Sequence, residues 1–317
     1  MSGASTKYED MVKVYEFNRE AHRQAFEDLG GTGMSIGTEV RRTAAGVPYL
    51  TAPGVALVGA SNFFPAGMQN FLDGFDEELG FARYLEDPWQ DGEGTGAAMI
   101  KTAGQLCYMS FGEKRSKNAD ASKYLHNIKA SGHGSVLEHV QLNFITWGES
   151  RSYTHELVRH RAGAGFSQVS QRYVDGKVLR FVERPEYQND DALHKRFERR
   201  VEAAVQEYDW VAEQLKRTMA AELETMPATE RRKRVNQAAR SVLPNETEAP
   251  VFVSLNARAL RHVCEMRASG PAEVEIRNAM FRLFLCAARV EPLLMEDYEI
   301  VTLPDGTKAV NTPFRKV

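Results

Sequence analysis

The stretch ESRSYTHELVRHRAGAGFSQVSQRYVD, residues 149–175, holds the densest chemistry in the chain. Arg151, His155, Glu156, Arg159, His160, Arg161, Ser167, Gln168, Ser170, Gln171, Arg172 and Tyr173 all fall within it. Its first part, RSYTHELVRHR at 151–161, reads as a helix with Ser150 as N-cap, because a serine hydroxyl accepts from the first unpaired backbone amides. Glu156 then lies three and four positions before Arg159 and His160, on one helix face. The AGAG run at 162–165 lets the backbone approach a partner closely, since small residues permit it. The hydroxyls, amides and Arg172 beyond it suit a phosphate or a base edge. A zinc-protease reading fails on spacing. That motif needs two histidines at i and i+4, whereas His155 and His160 are one position further apart, about 140° round a helix. No metal is expected.

Outward from this stretch, strands and helices alternate irregularly. VQLNFITW at 140–147 alternates as a half-buried strand does, and VALVGAS at 55–61, VLRFV at 178–182 and VFVSL at 251–255 read as further strands. Helical spacing covers Tyr8–Leu29, 97–108, 123–132 with a glycine stop, and 195–223, where Phe197, Val201, Val205, Tyr208, Ala212, Leu215 and Met219 form one stripe. Further helices are expected at 229–241, at 257–268 capped by Asn256, and at 272–290 with Pro271 near its start. Residues 298–310 form a hairpin around Pro304, Asp305 and Gly306. Residues 86–97 read as a loop, and 112–122 as a charged, mobile one. The fold class is α+β, a modest sheet carrying several long helices. Residues 1–48 are read as an N-terminal extension that docks on another surface, and 49–317 as the main domain.

Composition bounds the function. The chain has 317 residues, 43% apolar and 26% charged, an ordinary globular balance. A net charge of −3 gives no global field to draw in a nucleic-acid backbone, so no nucleic-acid partner is expected and an anionic ligand must meet a local cluster. No apolar run reaches the roughly 18 residues of a membrane span, and the start of the chain has no signal-like apolar core. Cys107, Cys264 and Cys286 are too few for a disulfide framework. Each stands in an apolar context and reads as buried rather than nucleophilic. A cytoplasmic, reduced protein without a membrane partner is expected.

Four blocks carry a resemblance. RHR followed by SQVSQRY resembles the signature of the flavin-dependent thymidylate synthases, in which RHR, a short spacer and Ser-x-Arg-Tyr follow one another. SGHGSVLEH at 131–139 resembles that family's H-x-S/T-x-x-E-H element. RKRVNQAARSVLPNETEA at 232–249 resembles its R-x-x-LP segment, and NARALRHVCEMRASGPAEVEIR at 256–277 its C-terminal block. They occur in family order over roughly residues 50–300.

The resemblance implies an antiparallel sheet packed with long helices. It also implies FAD-dependent transfer of a one-carbon unit from methylenetetrahydrofolate to C5 of a uracil nucleotide, dUMP to dTMP, with NADPH as reductant and no cysteine nucleophile. The family is homotetrameric, with FAD and nucleotide between subunits. Carried over, the flavin side is His133, Ser135, Glu138, Arg159, His160, Arg161, Asn256, Arg258 and His262. The nucleotide side is Glu156, Gln168, Ser170, Gln171, Arg172, Lys233, Arg240 and Arg267. Ser170 and Arg172 hold the 5′-phosphate, with Arg240 as a further cation. Arg267 polarises the pyrimidine as charge develops, so Arg267, Ser170 and Glu156 are the catalytic set. His139, Arg151 and Arg277 read as structural and stay outside it. The chain departs from the pattern in an eight-residue spacer, AGAGFSQV, where seven is usual, in the Ala-Gly run that replaces a polar serine, and in extra residues at the N-terminus and around 66–96. The first two touch the ribose wall, so UMP is expected to be accepted along with dUMP. A dedicated UMP C5-methylase of polyoxin-type nucleoside antibiotic biosynthesis is the near alternative. A non-catalytic nucleotide- or RNA-binding homologue is the distant one.

Overall fold

The computed structural model describes residues 7–89, 95–174 and 178–317. Helix α1 (Tyr8–Asp28) opens the chain and leads to strands β1 (Ser35–Ile36), β2 (Val40–Arg42), β3 (Pro48–Leu50) and β4 (Gly54–Ala60). Helices α2 (Gln69–Leu72), α3 (Thr95–Cys107) and α4 (Ala121–Ala130) precede β5 (Gln141–Trp147). Then come α5 (Arg151–Leu157), β6 (Ala164–Gln168), β7 (Phe181–Val182), α6 (Asp191–Thr218), α7 (Ala220–Glu224) and α8 (Ala228–Ala239). The chain closes with β8 (Val251–Asn256), α9 (Ala257–Arg267), α10 (Val274–Val290), α11 (Pro292–Met295), β9 (Glu299–Thr302) and β10 (Lys308–Asn311).

The main sheet is antiparallel, in the order β1-β4-β5-β8-β6. Leu142, Phe144 and Thr146 on β5 lie opposite Leu255, Val253 and Val251 on β8, and all are buried on the same face. That face is closed by α10, which is buried almost all round because it lies between β4 on one side and α1 on the other. The surface on which α1 docks is therefore α10 of its own chain. Tyr15, His22 and Phe26 are its buried contacts, and Asn18 Nδ2 donates to the Glu296 carbonyl at 2.9 Å. A second body is the arm of α6, α7 and α8, with its own small core of Tyr208, Ala212, Leu223, Val235 and Ala239. A three-stranded sheet, β2-β3-β7, joins the arm's base to the rest, with Tyr49 and Phe181 packing against Phe197 and Val201.

Several expectations change. The helix foreseen over 151–161 ends at Leu157, so the RHR tripeptide lies in a turn and not on a helix face. The helix-phase argument separating His155 from His160 gives way to that turn. Among the described residues there is no metal-holding group of three or more His, Cys, Asp or Glu. The chain turns because Gly163, at φ +68°, feeds the spacer into β6 as an edge strand on β8. A Cβ at Gly163 would fall 2.5 Å from Asn256 Nδ2, so only glycine fits there. VLRFV supplies only the two-residue β7. The 112–122 segment is tied down rather than loose. Arg115 pairs with Asp87 at 2.8 Å, and buried Asn118 donates to the Tyr84 carbonyl and accepts from Lys101. Cys107 is exposed, while Cys264 and Cys286 are buried as expected. Of the loop at 86–97, residues 90–94 lie outside the described residues.

Candidate functional site

The centre of the site is built where α5 and α9 end. Ser150 caps α5, accepting from Ser152 N at 3.1 Å, and its hydroxyl donates to buried Glu275 at 2.8 Å. That cap fixes the start of α5 and so places Glu156 in its last turn. On α9, Asn256 Oδ1 accepts from Ala259 N at 2.8 Å, and the helix runs to Arg267. The two ends meet: Arg267 Nη1 donates to Glu156 at 2.6 Å, and Arg267 Nε donates to His160 Nε2 at 2.9 Å.

This geometry fixes the state of His160. A guanidinium has no acceptor, so His160 Nε2 carries a lone pair and the ring proton sits on Nδ1. Burial, followed by the neighbouring Arg267, His262 and Arg159, holds the imidazole down to about 4. His160 is therefore neutral at ordinary pH. His262 lies edge-on to it, ring centres 5.9 Å apart. Arg267 keeps about a fifth of its side chain exposed, so the cluster remains open to a ligand.

Two cavities are lined by other residues of the candidate set. The first, about 320 Å³, is lined by His133, Ser135 and Arg258 together with Cys107, Tyr108 and Tyr124. Gly134 shapes its wall, since a Cβ there would lie 3.0 Å from Arg258 Nε. Arg258 also pairs with Glu138 at 2.6 Å. Arg159 and Arg161 are exposed on the turn after α5, and no carboxylate among the described residues pairs with them. The second cavity, about 370 Å³, is lined by Arg151, Gln171 and Arg240. Gln171 is buried and its Nε2 has no partner. A buried amide donor left without a partner calls for an acceptor. Beside it, the guanidinium of Arg172 and the ammonium of Lys233 lie 5.4 and 5.6 Å from the Tyr173 ring centre. Lys233 also pairs with Glu230 at 3.3 Å. Gln168 turns inward to donate to Thr154 Oγ1 at 3.4 Å. Ser170 contributes its carbonyl to the turn that carries Tyr173 and Val174.

The sequence-derived residues thus divide among a centre of Glu156, His160, His262 and Arg267, a first wall and a second wall. Asn256 differs from the rest, because its side-chain oxygen is committed to capping α9. Arg151, set aside from sequence as structural, lines the second cavity. The signal was present: a residue just after an N-cap serine projects from the first turn, where no intrahelical neighbour precedes it.

An α+β protein with a partly exposed Arg-Glu-His cluster and two polar-lined cavities is the class these features define. The family model described as thymidylate synthase complementing protein matches residues 93–293. The flavin-dependent thymidylate synthase of Mycobacterium bovis (strain BCG / Pasteur 1173P2) is 41% identical over 226 residues, 71% of this chain and 89% of that protein. The same-named protein of Mycobacterium sp. (strain JLS) is 41% identical over 228 residues, with the same coverage. Among solved structures, the UMP/dUMP methylase PolB from Streptomyces cacaoi bound with 5-Br dUMP superposes with a TM-score of 0.51 at 19% identity. The match covers 78% of this chain and 94% of that one, and is a likeness of fold. The chain belongs to the flavin-dependent thymidylate synthase family, enzymes of methyltransferase type.

Proposed function

We propose that this protein uses FAD to transfer a one-carbon unit from methylenetetrahydrofolate to C5 of dUMP, yielding dTMP, with NADPH as reductant. The observation that carries the reading is Arg267, held by Glu156 and neutral His160 with part of its side chain still exposed. A fixed cation at that point stabilises negative charge as it develops on the pyrimidine during attack by C5. Glu156 sets the direction of Arg267, and His160 keeps it there without adding a competing positive charge. The second cavity suits the nucleotide. Arg151 and Arg240 offer cations to a 5′-phosphate, Gln171 Nε2 offers an unused donor, and Arg172 and Lys233 stand beside the Tyr173 ring. Ser170 and Gln168 lie on the same segment just before Gln171, outside the lining of the cavity itself.

The residues of the first wall fit a flavin dinucleotide. His133, Ser135 and Arg258 line the cavity, the missing Cβ of Gly134 makes room beside Arg258, and Arg159 and Arg161 present unpaired cations for a pyrophosphate. When bound, the flavin supplies the hydride that completes the methyl group. At about 320 Å³ the cavity of one protomer lies at the small end for ligand sites. This favours a homotetramer in which neighbouring subunits complete the FAD and nucleotide sites. A reduced, cytoplasmic setting agrees with its thiols. No helix among the described residues is long and apolar enough to cross a membrane.

UMP is accepted alongside dUMP in this reading. The spacer runs in unbroken register from Ala164↔Leu255 to Gln168↔Val251. The exposed positions of β6 are Gly165, which has no side chain, and Ser167, whose side chain is small. A wall built only on size rejects a hydroxyl by about a hundredfold. Mass analysis of the products from dUMP and UMP, with FAD, NADPH and methylenetetrahydrofolate, tests the reading. A gain of one methyl group on dUMP is expected. No conversion of dUMP by flavin-loaded protein would overturn it, and a preference for dUMP above roughly a thousandfold would exclude UMP as a substrate.

A further inference from the structure

We propose that Glu149 is a positioning residue whose proton holds α5 in place. Uncharged, it lets the start of that helix pack between two anchored carboxylates. Ionised at alkaline pH, it loosens the helix and with it Glu156, the partner of Arg267. The effect on turnover rests on the reading of Arg267 given above, whereas the protonation state and its effect on stability do not. Glu149 stands between β5 and Ser150, the N-cap of α5, and takes no part in the site itself.

The turn at 148–150 is crowded with carboxyl groups. Gly148 N donates to Glu248 at 2.8 Å, and Ser150 N donates to Glu275 at 2.6 Å. Glu149 lies between those two residues and is 0% exposed. The outer two acids have cations. Arg180 donates to Glu248 at 2.6 and 2.7 Å, and Arg184 donates to Glu275 at 3.2 Å. Arg184 also divides its charge with Glu186 and Glu273. Glu149 has no such partner: both its carboxyl oxygens are buried without a hydrogen bond among the described residues. Arg282 on α10 favours the ionised form but makes no hydrogen bond to it, and donates instead to the Gly37 carbonyl at 3.4 Å.

The side chains on the adjoining elements supply no compensation. Thr146 on β5 and Tyr153 on α5 are fully buried, and neither hydroxyl donates to Glu149. Burial, and then Glu149 itself, pushes the Tyr153 phenol well above its ordinary range, so it stays neutral. A carboxylate in such surroundings has lost its water and gained no partner, and a group so placed takes up a proton instead. Burial, followed by Glu275 and Glu248, pushes the Glu149 carboxyl well above the usual carboxylate range. Only its own backbone amide and Arg282 act against them. Glu149 is therefore a neutral acid at ordinary pH. Loss of its proton sets a third negative charge beside Glu248 and Glu275 where α5 begins. That helix is seven residues long, so a shift at its start is carried to Glu156 near its end.

Infrared difference spectroscopy of the full-length protein tests the protonation state. The parent minus Glu149→Gln spectrum at about pH 7 should show the C=O band of a protonated carboxylic acid and no carboxylate band. Melting temperature tests the effect on stability. A carboxyl raised above its ordinary 4.5 on folding contributes most below that value, and the contribution is lost as pH rises towards the folded value. The fall in Tm from about pH 6 to about pH 9 should therefore be smaller in Glu149→Gln than in the parent. Turnover tests the link to Arg267. The alkaline limb of kcat with dUMP should move up by about one pH unit or more in Glu149→Gln, with KM for dUMP at neutral pH unchanged. Glu149→Leu cannot ionise either and should behave alike, which keeps the test open if the amide is not tolerated. A carboxylate band at neutral pH, an equal fall in Tm, or an unmoved alkaline limb in active protein would each overturn the proposal. A parent that forms no dTMP would count against the catalytic reading instead, and the infrared and thermal results would still decide this one.

Discussion

Arg261 and Arg267 lie on the same helix and differ in how fully the protein uses them. Arg261 is fully buried. Its guanidinium donates to Asp297 through two nitrogens at 2.9 Å each, to the Leu294 carbonyl at 2.7 Å and to the Val317 carbonyl at 3.3 Å, over the face of Tyr298. Lys129 completes this hub at 2.7 Å from Asp297. Every strong donor there meets a protein acceptor, and the hub ties α4, α9 and the chain end together. Arg267 meets one carboxylate and one imidazole and keeps part of its surface exposed. A saturated buried arginine can only hold a fold, whereas a partly exposed one with fewer partners can meet a ligand.

The largest expected effect comes from breaking the hub. Asp297→Ala leaves Arg261 and Lys129 buried without their anion, a change that costs about 3–5 kcal/mol. A chemical-denaturation curve should show most of the stability gone. A loss under 1 kcal/mol would show the hub to be dispensable. Next in size are effects on the second cavity. Arg172→Ala or Arg240→Ala should weaken nucleotide binding roughly ten- to a hundredfold, as expected for a lost charge-assisted contact, with flavin content nearly unchanged. Flavin loss with intact nucleotide affinity would reverse the assignment of the two walls.

A smaller effect concerns acid. His160 is held at about 4, below its ordinary 6.5. Between those values the unfolded chain takes up a proton that the folded one does not, so acid favours unfolding. The contribution is complete above about pH 6.5 and is lost as pH falls towards 4. The drop in melting temperature from pH 7 to pH 5 should therefore be smaller in His160→Gln than in the parent, and an equal drop would contradict the neutral imidazole. Smallest of all, Cys107→Ser should leave both stability and turnover near the parent's, because the thiol is exposed and its one hydrogen bond is to the Ala103 carbonyl at 3.4 Å. Replacing Cys264 and Cys286 as well should lower stability, since both are buried and burial pushes each thiol up to about 12. Turnover per folded enzyme should persist. Its abolition with flavin still bound would restore a covalent-cysteine route.

The hub and the site were not equally legible in the sequence. The caps were plain: Ser150 and Asn256 stand immediately before their helices and do what their side chains predict. The alternation of β5 and β8 was equally clear, because one face is apolar. β6 was not, because AGAGF has neither alternation nor β-branched residues. Only the open edge of β8 makes it a strand. The end of α5 at Leu157 was hidden for a related reason. Arg-His-Arg contains no stop residue, and the turn is imposed by Gly163 further on. Cys107 misled because QLCYM is apolar, yet Leu106 and Tyr108 beside it are exposed as well. The pairing of Arg267 with residues more than a hundred positions earlier is a tertiary fact that local pattern does not encode.

The contrast between the two arginines is tested most directly by single-turnover formation of dTMP from saturating dUMP in Arg267→Gln, with flavin occupancy matched to the parent. The account predicts a folded, flavin-binding protein of near-parent stability whose turnover falls by about 10²–10³, the usual cost of removing one group that stabilises developing charge. Turnover equal to the parent's would contradict it and leave Arg267 a structural residue like Arg261.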